Sequence, residues 1–523
     1  MRGIGYRGDP RAAGAYDPRV SAEPDTPEAP KTSAPETAEL TVPGAAEAEA
    51  AETSAPEAVA LGSDAVALLQ RLVAFNTVNP PGNELPAQQH LHALLTDAGF
   101  ECELLGAVPE RPNLVARLRG AADGPTLCYL GHVDTVLAEP TEWSKGPWSG
   151  EIADGCVWGR GALDMKSQVA AEVAAAVSLA RSGWRPARGD LLVVAVVDEE
   201  TGGALGAEWL TNTHPEKVRC DLLVNEGGGA VFEYGGPPAP RRRRYGVCCA
   251  EKGIFRFTVT TDGVAGHASM PKIADNALLK MGPVLERLAA RQPAYTLTAE
   301  PAAFLRGIGE DPEDPAGAVA NLLAADPRLA SMFEPMLGVT FAPTRIRASE
   351  KINVIPSLAE VKVDCRVPPG LGEAEVLRGI EEVLGPLHPD STQPAVAGRF
   401  VGDRGPSGMG EVGGALDFRI EFTERVVGNR SPMESSLMEE IRSWVSENDP
   451  GAEVVPLILP GFTDSRHFRT AFPECVAYGF FPQRHQSLLE SMPLIHAADE
   501  RIDVRDVAFA AEFFADLARS VLG

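Results

Sequence analysis

The chain has 523 residues, 44% of them apolar and 23% charged, which is enough length and apolar content to bury a sizeable core. Its 47 Lys and Arg against 73 Asp and Glu leave a formal charge of −26, a field that repels nucleic acid and anionic membranes, so neither is expected as a partner. The longest apolar run, Leu191–Val197, falls far short of the ~20 residues of a membrane helix, and no apolar stretch follows Arg2 and Arg7 as a secretory signal requires. Eight scattered Cys without a CxxC pair fit a reduced compartment, and the expected localisation is cytoplasmic.

Residues 1–60 hold 15 Ala, 8 Pro and 11 acidic residues but few large aliphatic ones. That composition cannot offset its chain entropy by burial, so a disordered acidic tail is expected. Helical apolar spacing follows over Asp64–Asn76 and Glu84–Ala98, with the turn-forming Asn79-Pro80-Pro81-Gly82-Asn83 between them. Strand-like runs come next at Asn113–Leu118, Thr126–Leu130, Asp190–Val197 and Asp221–Val224, with an Ala-rich helix at Lys166–Ala180. This alternation predicts an α/β fold: a mostly parallel central sheet with helices on both faces.

Past Arg241–Arg244, which reads as a solvated linker, the rhythm changes. Ile254–Thr261, Asn276–Leu288, Lys351–Ile355, Ala359–Arg366, Glu373–Leu384 and Asp417–Thr423 follow the order βαββαβ of a ferredoxin-like α+β module. Pro-rich residues at about 292–349 interrupt it, too long a stretch for a plain loop. A helix at Glu434–Val445, strands near Val454–Leu457 and Cys475–Tyr478, and a helix from Val504 restore the α/β pattern. The expected organisation is one α/β domain in two parts, 61–250 and 429–523, with the smaller module, 251–428, inserted between them.

The chain contains no HExxH, GxSxG or Walker A motif. Gly159-Arg160-Gly161-Ala162-Leu163-Asp164 starts like a dinucleotide fingerprint, but Asp164 stands where the third Gly belongs and would repel a pyrophosphate. The informative acidic residues share a location. His132 and Asp134 follow one strand, Glu199 and Glu200 a second, and Glu226 a third, so all lie at the carboxyl ends where open α/β sheets bind ligands. Asp164, on a Gly-rich turn before a helix, can reach the same edge. One such Asp or Glu is ordinarily a helix cap or a solvated charge. Five converging on one cleft would repel each other without a cation, so a metal is the physical reason to assemble them. Residues two apart on an extended segment point the same way, so His132 can bind metal while Asp134 orients it. Glu199 and Glu200 are adjacent and should point differently, one toward metal and the other toward acid/base work.

The segments Leu130-Gly131-His132-Val133-Asp134-Thr135-Val136, Trp158-Gly159-Arg160-Gly161-Ala162-Leu163-Asp164-Met165-Lys166 and Asp198-Glu199-Glu200-Thr201-Gly202-Gly203 resemble the M20 metallopeptidases. That family includes aminoacylases, carboxypeptidases, acetylornithine deacetylases and succinyl-diaminopimelate desuccinylases. The resemblance implies that the inserted module is a lid and dimerisation domain. It makes Asp164 a carboxylate bridging two metals, with His132 and Glu226 completing one site and Glu200 and His496 the other. Glu199 would be the general base and Asp134 the partner of His132. On the lid, His267 would reach a neighbouring subunit's site, and Asn353 and Arg366 would hold substrate. His and carboxylate ligands without thiolate suit two Zn²⁺ ions, with Co²⁺ or Mn²⁺ able to substitute.

The expected function is a dinuclear metal-dependent hydrolase acting on a small molecule, the amide of an N-acyl amino acid or short peptide with a free carboxylate. A homodimer through the lid is expected with it. The alternative is a catalytically silent binding or regulatory protein on the same fold. The setting of Glu226 in Asn225-Glu226-Gly227-Gly228 and the long insertion resemble the aminoacylase and carboxypeptidase branch most. Gly461-Phe462-Thr463-Asp464-Ser465-Arg466 is also family-like but has no assigned role. His90, His92, His214, His388, His467 and His485 read as surface or core polar residues, and Cys248-Cys249 as small apolar packing.

Overall fold

A computed structural model of the chain describes residues 56–235, 240–387 and 416–523. Most of the expected tail, residues 1–55, lies outside the described residues, as does His388; residues 56–60 open the helix Pro56–Val73. No helix among the described residues is long and apolar enough to cross a membrane.

Among the described residues ten strands form the larger sheet. Its centre is parallel. Thr126–His132 lies between Asp190–Val196 and Leu222–Asn225, and Val476–Gly479 continues the parallel run beyond Leu222–Asn225. Asn113–Arg119 and Glu101–Leu105 add antiparallel strands on one side. On the other side Arg242–Glu251 pairs with Val231–Tyr234, Asn429–Arg430 and Glu453–Leu459. Within Asp190–Val196 the residues from Leu191 on form a continuous apolar run because both faces of the strand are covered. Leu191, Val193 and Ala195 lie on the face covered by the helices Lys166–Arg181 and Val504–Leu522, against which Pro56–Val73 packs in turn, while Leu192 and Val194 share a layer with Leu210, Phe468 and Phe472. Pro56–Val73 buries Leu61, Ala65, Leu68, Leu69 and Leu72, a single stripe at helical spacing. Lys166–Arg181 is buried nearly all round, and its alanines let neighbouring helices approach closely.

The second sheet sets Thr340–Arg347, Leu358–Val367, Phe257–Asp262 and Arg419–Phe422 side by side, every pair antiparallel, with Gly253–Ile254 continuing the line of Phe257–Asp262 along Leu358–Val367. Helices Ala277–Ala289 and Glu373–Leu384 share its core. Along Leu358–Val367 burial alternates: Ala359, Val361, Val363, Cys365 and Val367 face that core. Each buried valine contributes about 1.5–3 kcal/mol, and an aspartate at Val361 would place an unpaired carboxylate there.

Three expectations are corrected. The second strand of the module is Thr340–Arg347, not Lys351–Ile355; of the latter only Val354–Ile355 is extended, in a separate two-stranded ladder with Gly266–His267. The insertion does not stay with its own module. Its helices Ala299–Ile308, Pro315–Ala325 and Pro327–Phe333 pack on the larger sheet, where Phe304 and Phe333 stack around Phe232 at centroid distances of 6.4 and 4.9 Å. Arg242–Arg244 is not a solvated linker but the start of a central strand. Arg244 is buried because the insertion supplies the Gly307 carbonyl, 3.1 Å from its Nε, and Tyr234 supplies another at 2.8 Å. Cys248 and Cys249 are buried as small core residues.

Candidate metal centre

The parallel register places His132 beside Val196 and Tyr129 beside Val224, so the chain leaves three neighbouring strands at one edge. Gly131 lets the next helix approach: a Cβ there would lie 2.7 Å from Val169 Cγ2 and 3.0 Å from Met165 Cε. That approach brings Asp164, just ahead of the helix, against His132. Asp198 turns the chain through the left-handed region at φ 71°, and the turn Glu199–Thr201 follows at once. Its carboxylate offsets the strain by accepting from Thr201 Oγ1 at 2.7 Å, Leu205 N at 3.1 Å and Asn79 Nδ2 at 3.2 Å.

The two oxygens of Asp164 face different imidazoles. Oδ1 lies 3.1 Å from His132 Nε2, and Oδ2 lies 3.0 Å from His496 Nε2. Behind His132 stands Glu226, with Oε1 at 3.8 Å; behind His496 stands Glu200, with Oε2 at 3.3 Å. Ligand atoms of His132, Asp164 and Glu200 lie within 4.8 Å of one another, and so do those of His132, Glu199 and Glu226. Glu199 is therefore close enough to share an ion with Glu226. Asp134 sits beneath the cluster, fully buried. Its backbone carbonyl is 3.0 Å from His132 Nδ1, and its carboxylate accepts from Asn79 Nδ2 at 2.9 Å and from the amides of Glu199 and Glu200 at 3.2 Å each. Fixing Nδ1 leaves Nε2 directed at the carboxylates.

Electrostatics argue that this donor set fits a cation. Burial, then repulsion from Glu226, pushes the Glu199 carboxyl well above its ordinary range. Burial and the Asp164 charge do the same to Glu226. Burial lifts Asp464, 3% exposed beside this cluster, to about 7. Asp134 goes the other way, because its bonds to His132 and Asn79 outweigh the burial that would raise it. Hydrogen bonds to Asp164 and Glu200 push His496 up to about 10. Raised proton affinity on closely spaced carboxylates is the electrostatic mark of a site whose charges lack a counter-cation.

The structure brings His132, Asp134, Asp164, Glu199, Glu200, Glu226 and His496 to one place. It does not bring the other three there. His267 and Asn353 are exposed on the second module, with His267 Nδ1 2.8 Å from Ser269 Oγ. Arg366 is turned by Asp364, whose Oδ1 accepts from its Nε at 2.7 Å, and its guanidinium lies 5.9 Å from the Phe462 ring. Phe462 carries Arg466 at 3.9 Å, and Arg466 donates to Gly202 O at 2.9 Å, so the run Gly461–Arg466 borders the cluster. Asn79, Asp198, Asp464 and Glu500 also shape the centre, and residue type and spacing alone do not single them out. Only their place in or beside the quoted motifs could have drawn attention to them.

A two-sided carboxylate flanked by two imidazoles and further acids, at the carboxyl edge of a parallel sheet, defines a metallohydrolase. A family model described as peptidase family M20/M25/M40 matches residues 128–520, and the chain belongs to that family of hydrolases. Succinyl-diaminopimelate desuccinylase of Cereibacter sphaeroides is 27% identical over 447 residues, covering 85% of this chain and 95% of the relative. The enzyme of the same name from Xanthobacter autotrophicus is 32% identical over 270 residues, 50% of this chain and 65% of the relative. Among solved structures, the M20 metallo-carboxypeptidase Sso-CP2 from Sulfolobus solfataricus shares the fold with a TM-score of 0.61 at 16% identity, covering 87% of this chain and 98% of that one. Human carnosine dipeptidase 1 does so at 0.61 and 15%, covering 88% and 97%.

Proposed function

We propose that the chain hydrolyses the amide bond of an N-acyl amino acid or short peptide bearing a free carboxylate, with two divalent metals held at the described centre. The observation that carries this reading is Asp164, whose two oxygens face two imidazoles at 3.1 and 3.0 Å. Asp164 would bridge the metals, His132 and Glu226 completing one position and Glu200 and His496 the other. Imidazole and carboxylate donors without thiolate suit Zn²⁺, with Co²⁺ or Mn²⁺ as substitutes. Such ions, when bound, supply a polarised water and a Lewis-acid contact for the scissile carbonyl.

The remaining steps belong to the chain itself. Glu199 takes the proton from the attacking water and returns it to the leaving amine, a role favoured by the burial and neighbouring charge that raise its proton affinity. Asp134 holds the His132 ring in orientation. Arg366 offers a guanidinium whose Nη1 has no hydrogen-bond partner among the described residues, a group suited to a substrate carboxylate. Asn353 would assist in holding the substrate.

His267 stands on an apolar surface with Val264, Met270, Ile273, Leu279 and Ile352, each more than half exposed. A second copy of the chain covering that surface would carry His267 to its own cleft as an oxyanion contact, so the reading includes a homodimer through the second module, acting as a lid. A cytoplasmic location completes it. The desuccinylase names of the sequence relatives favour N-succinyl diamino acids among the substrates, ahead of the aminoacylase and carboxypeptidase branch.

Metal analysis with a hydrolysis screen over N-acyl amino acids, dipeptides and N-succinyl or N-acetyl diamino acids tests the proposal. Amide cleavage lost on chelation and restored by Zn²⁺ is expected. Cleavage indifferent to chelation would refute it.

A further inference from the structure

We infer that the buried Glu500–Arg160 ion pair positions the bridging carboxylate Asp164 and the His496 segment together, so that one pair outside the ligand set governs both metals. This rests on the proposed metal assignment. Glu500 is fully buried, and Arg160 is 3% exposed. One carboxylate oxygen of Glu500 accepts from Leu163 N at 2.7 Å and from Asp164 N at 3.1 Å; the other accepts from Gly161 N at 3.2 Å and from Arg160 Nη1. The whole turn presenting Asp164 is thereby wrapped around a single carboxylate. Arg160 carries the link onward, its Nη2 donating to Leu137 O at 3.2 Å and to His496 O at 3.3 Å.

His496 needs such support. Its backbone adopts φ 62°, and it does not stand at a strand end as His132 does. A buried charge is retained only where its partners satisfy it, and here those partners are the backbone of one metal ligand and, through Arg160, the carbonyl of another. Glu500 and Arg160 are thus positioning residues. Glutamine at 500 would turn one acceptor into an NH₂ facing N–H donors, either Gly161 and Arg160 or Leu163 and Asp164, and the turn would have to shift.

Outer partners of metal ligands typically hold 10–100-fold in metal affinity. The test is Zn²⁺ titration of chelator-stripped Glu500→Gln, the Co²⁺ absorption spectrum at saturation, and the melting transition of the stripped protein. Both metals should weaken together by 10–100-fold and the Co²⁺ bands should change, while the stripped protein still melts cooperatively. Wild-type affinity with an unchanged spectrum would overturn the inference, as would loss confined to one metal. Should Glu500→Gln fail to fold, Arg160→Lys keeps the charge but cannot span both carbonyls. It should loosen the His496-side metal, and wild-type binding there would also overturn the inference. Asp164→Asn, titrated in parallel, separates the two levels. If it spares one metal, the bridging assignment is at fault; if it weakens both while Glu500→Gln weakens neither, only the positioning role is.

Discussion

Replacing Glu199 by glutamine keeps size and hydrogen bonding but removes the ability to accept the water's proton. The ligand atoms of Glu199, Glu226 and His132 lie within 4.8 Å of one another, so Glu199 could serve either as a base or as a ligand, and the substitution distinguishes the two. As a base, Glu199 acts only in the transition state; general acid–base catalysis is worth 10²–10⁴-fold, about 3–5 kcal/mol of barrier. Burial, then repulsion from Glu226, raises its proton affinity, the direction a general base needs. Glu199→Gln should therefore lower kcat by at least 10²-fold with a smaller change in KM and unchanged metal content. Glu200→Ala should instead lose metal, because Glu200 Oε2 faces His496 at 3.3 Å. Steady-state kinetics on the best substrate of the screen, paired with elemental analysis of each variant, gives the answer. Near-wild-type kcat in Glu199→Gln, or metal loss like that of Glu200→Ala, would refute the division of roles.

Three further outcomes are expected. Mixing His267→Ala subunits with Glu199→Ala subunits should recover activity through heterodimers with one intact composite site; no recovery despite demonstrated exchange would place His267 outside the reaction. Phe304→Ala should cost about 3–5 kcal/mol in denaturant unfolding, and a double-mutant cycle with Phe232→Ala should show coupling of at least about 0.5 kcal/mol; additive effects would mean that the insertion does not rest on the larger sheet. Lys252, 1% exposed with Nζ donating to Pro335 O at 2.7 Å and Gly338 O at 2.8 Å, is pulled down to about 7 by burial. The unfolded chain, titrating near 10.4, then binds more protons between pH 7 and 10, so stability should rise with pH across that window relative to Lys252→Met. An identical pH dependence in the two proteins would show that Lys252 is not strained.

Much of the fold was legible because its signals are local. The apolar run Leu191–Val197 and the leucines Leu68, Leu69 and Leu72 of the expected helix record burial directly in residue type. The carboxylates at the strand ends were legible because parallel strands share one carboxyl edge. What remained hidden depends on partners distant in the chain. Arg242–Arg244 reads as linker until the carbonyls of Tyr234 and Gly307 are in place. The insertion falls between elements of the small module yet packs elsewhere, since chain order does not determine which sheet offers Phe304 a matching surface. Glu500 is one acidic residue among 73 until four donors converge on it.

The strand Val476–Gly479 lies between Leu222–Asn225 and Arg242–Glu251, although more than two hundred residues separate it from either in sequence. A chain emerging from the ribosome therefore leaves one side of Leu222–Asn225, with its apolar Leu222, Leu223 and Val224, without a neighbouring strand until Val476–Gly479 has been made, and His496 and the helix Val504–Leu522 arrive later still. Such non-local pairing slows folding and leaves the nascent intermediate open to edge-to-edge association. The helix Val504–Leu522 then packs against Pro56–Val73, which brings the first and last described elements together. A circular permutation that opens the chain at an exposed loop of the insertion would let Val476–Gly479 be made before Leu222–Asn225, so the permuted chain should aggregate less during synthesis.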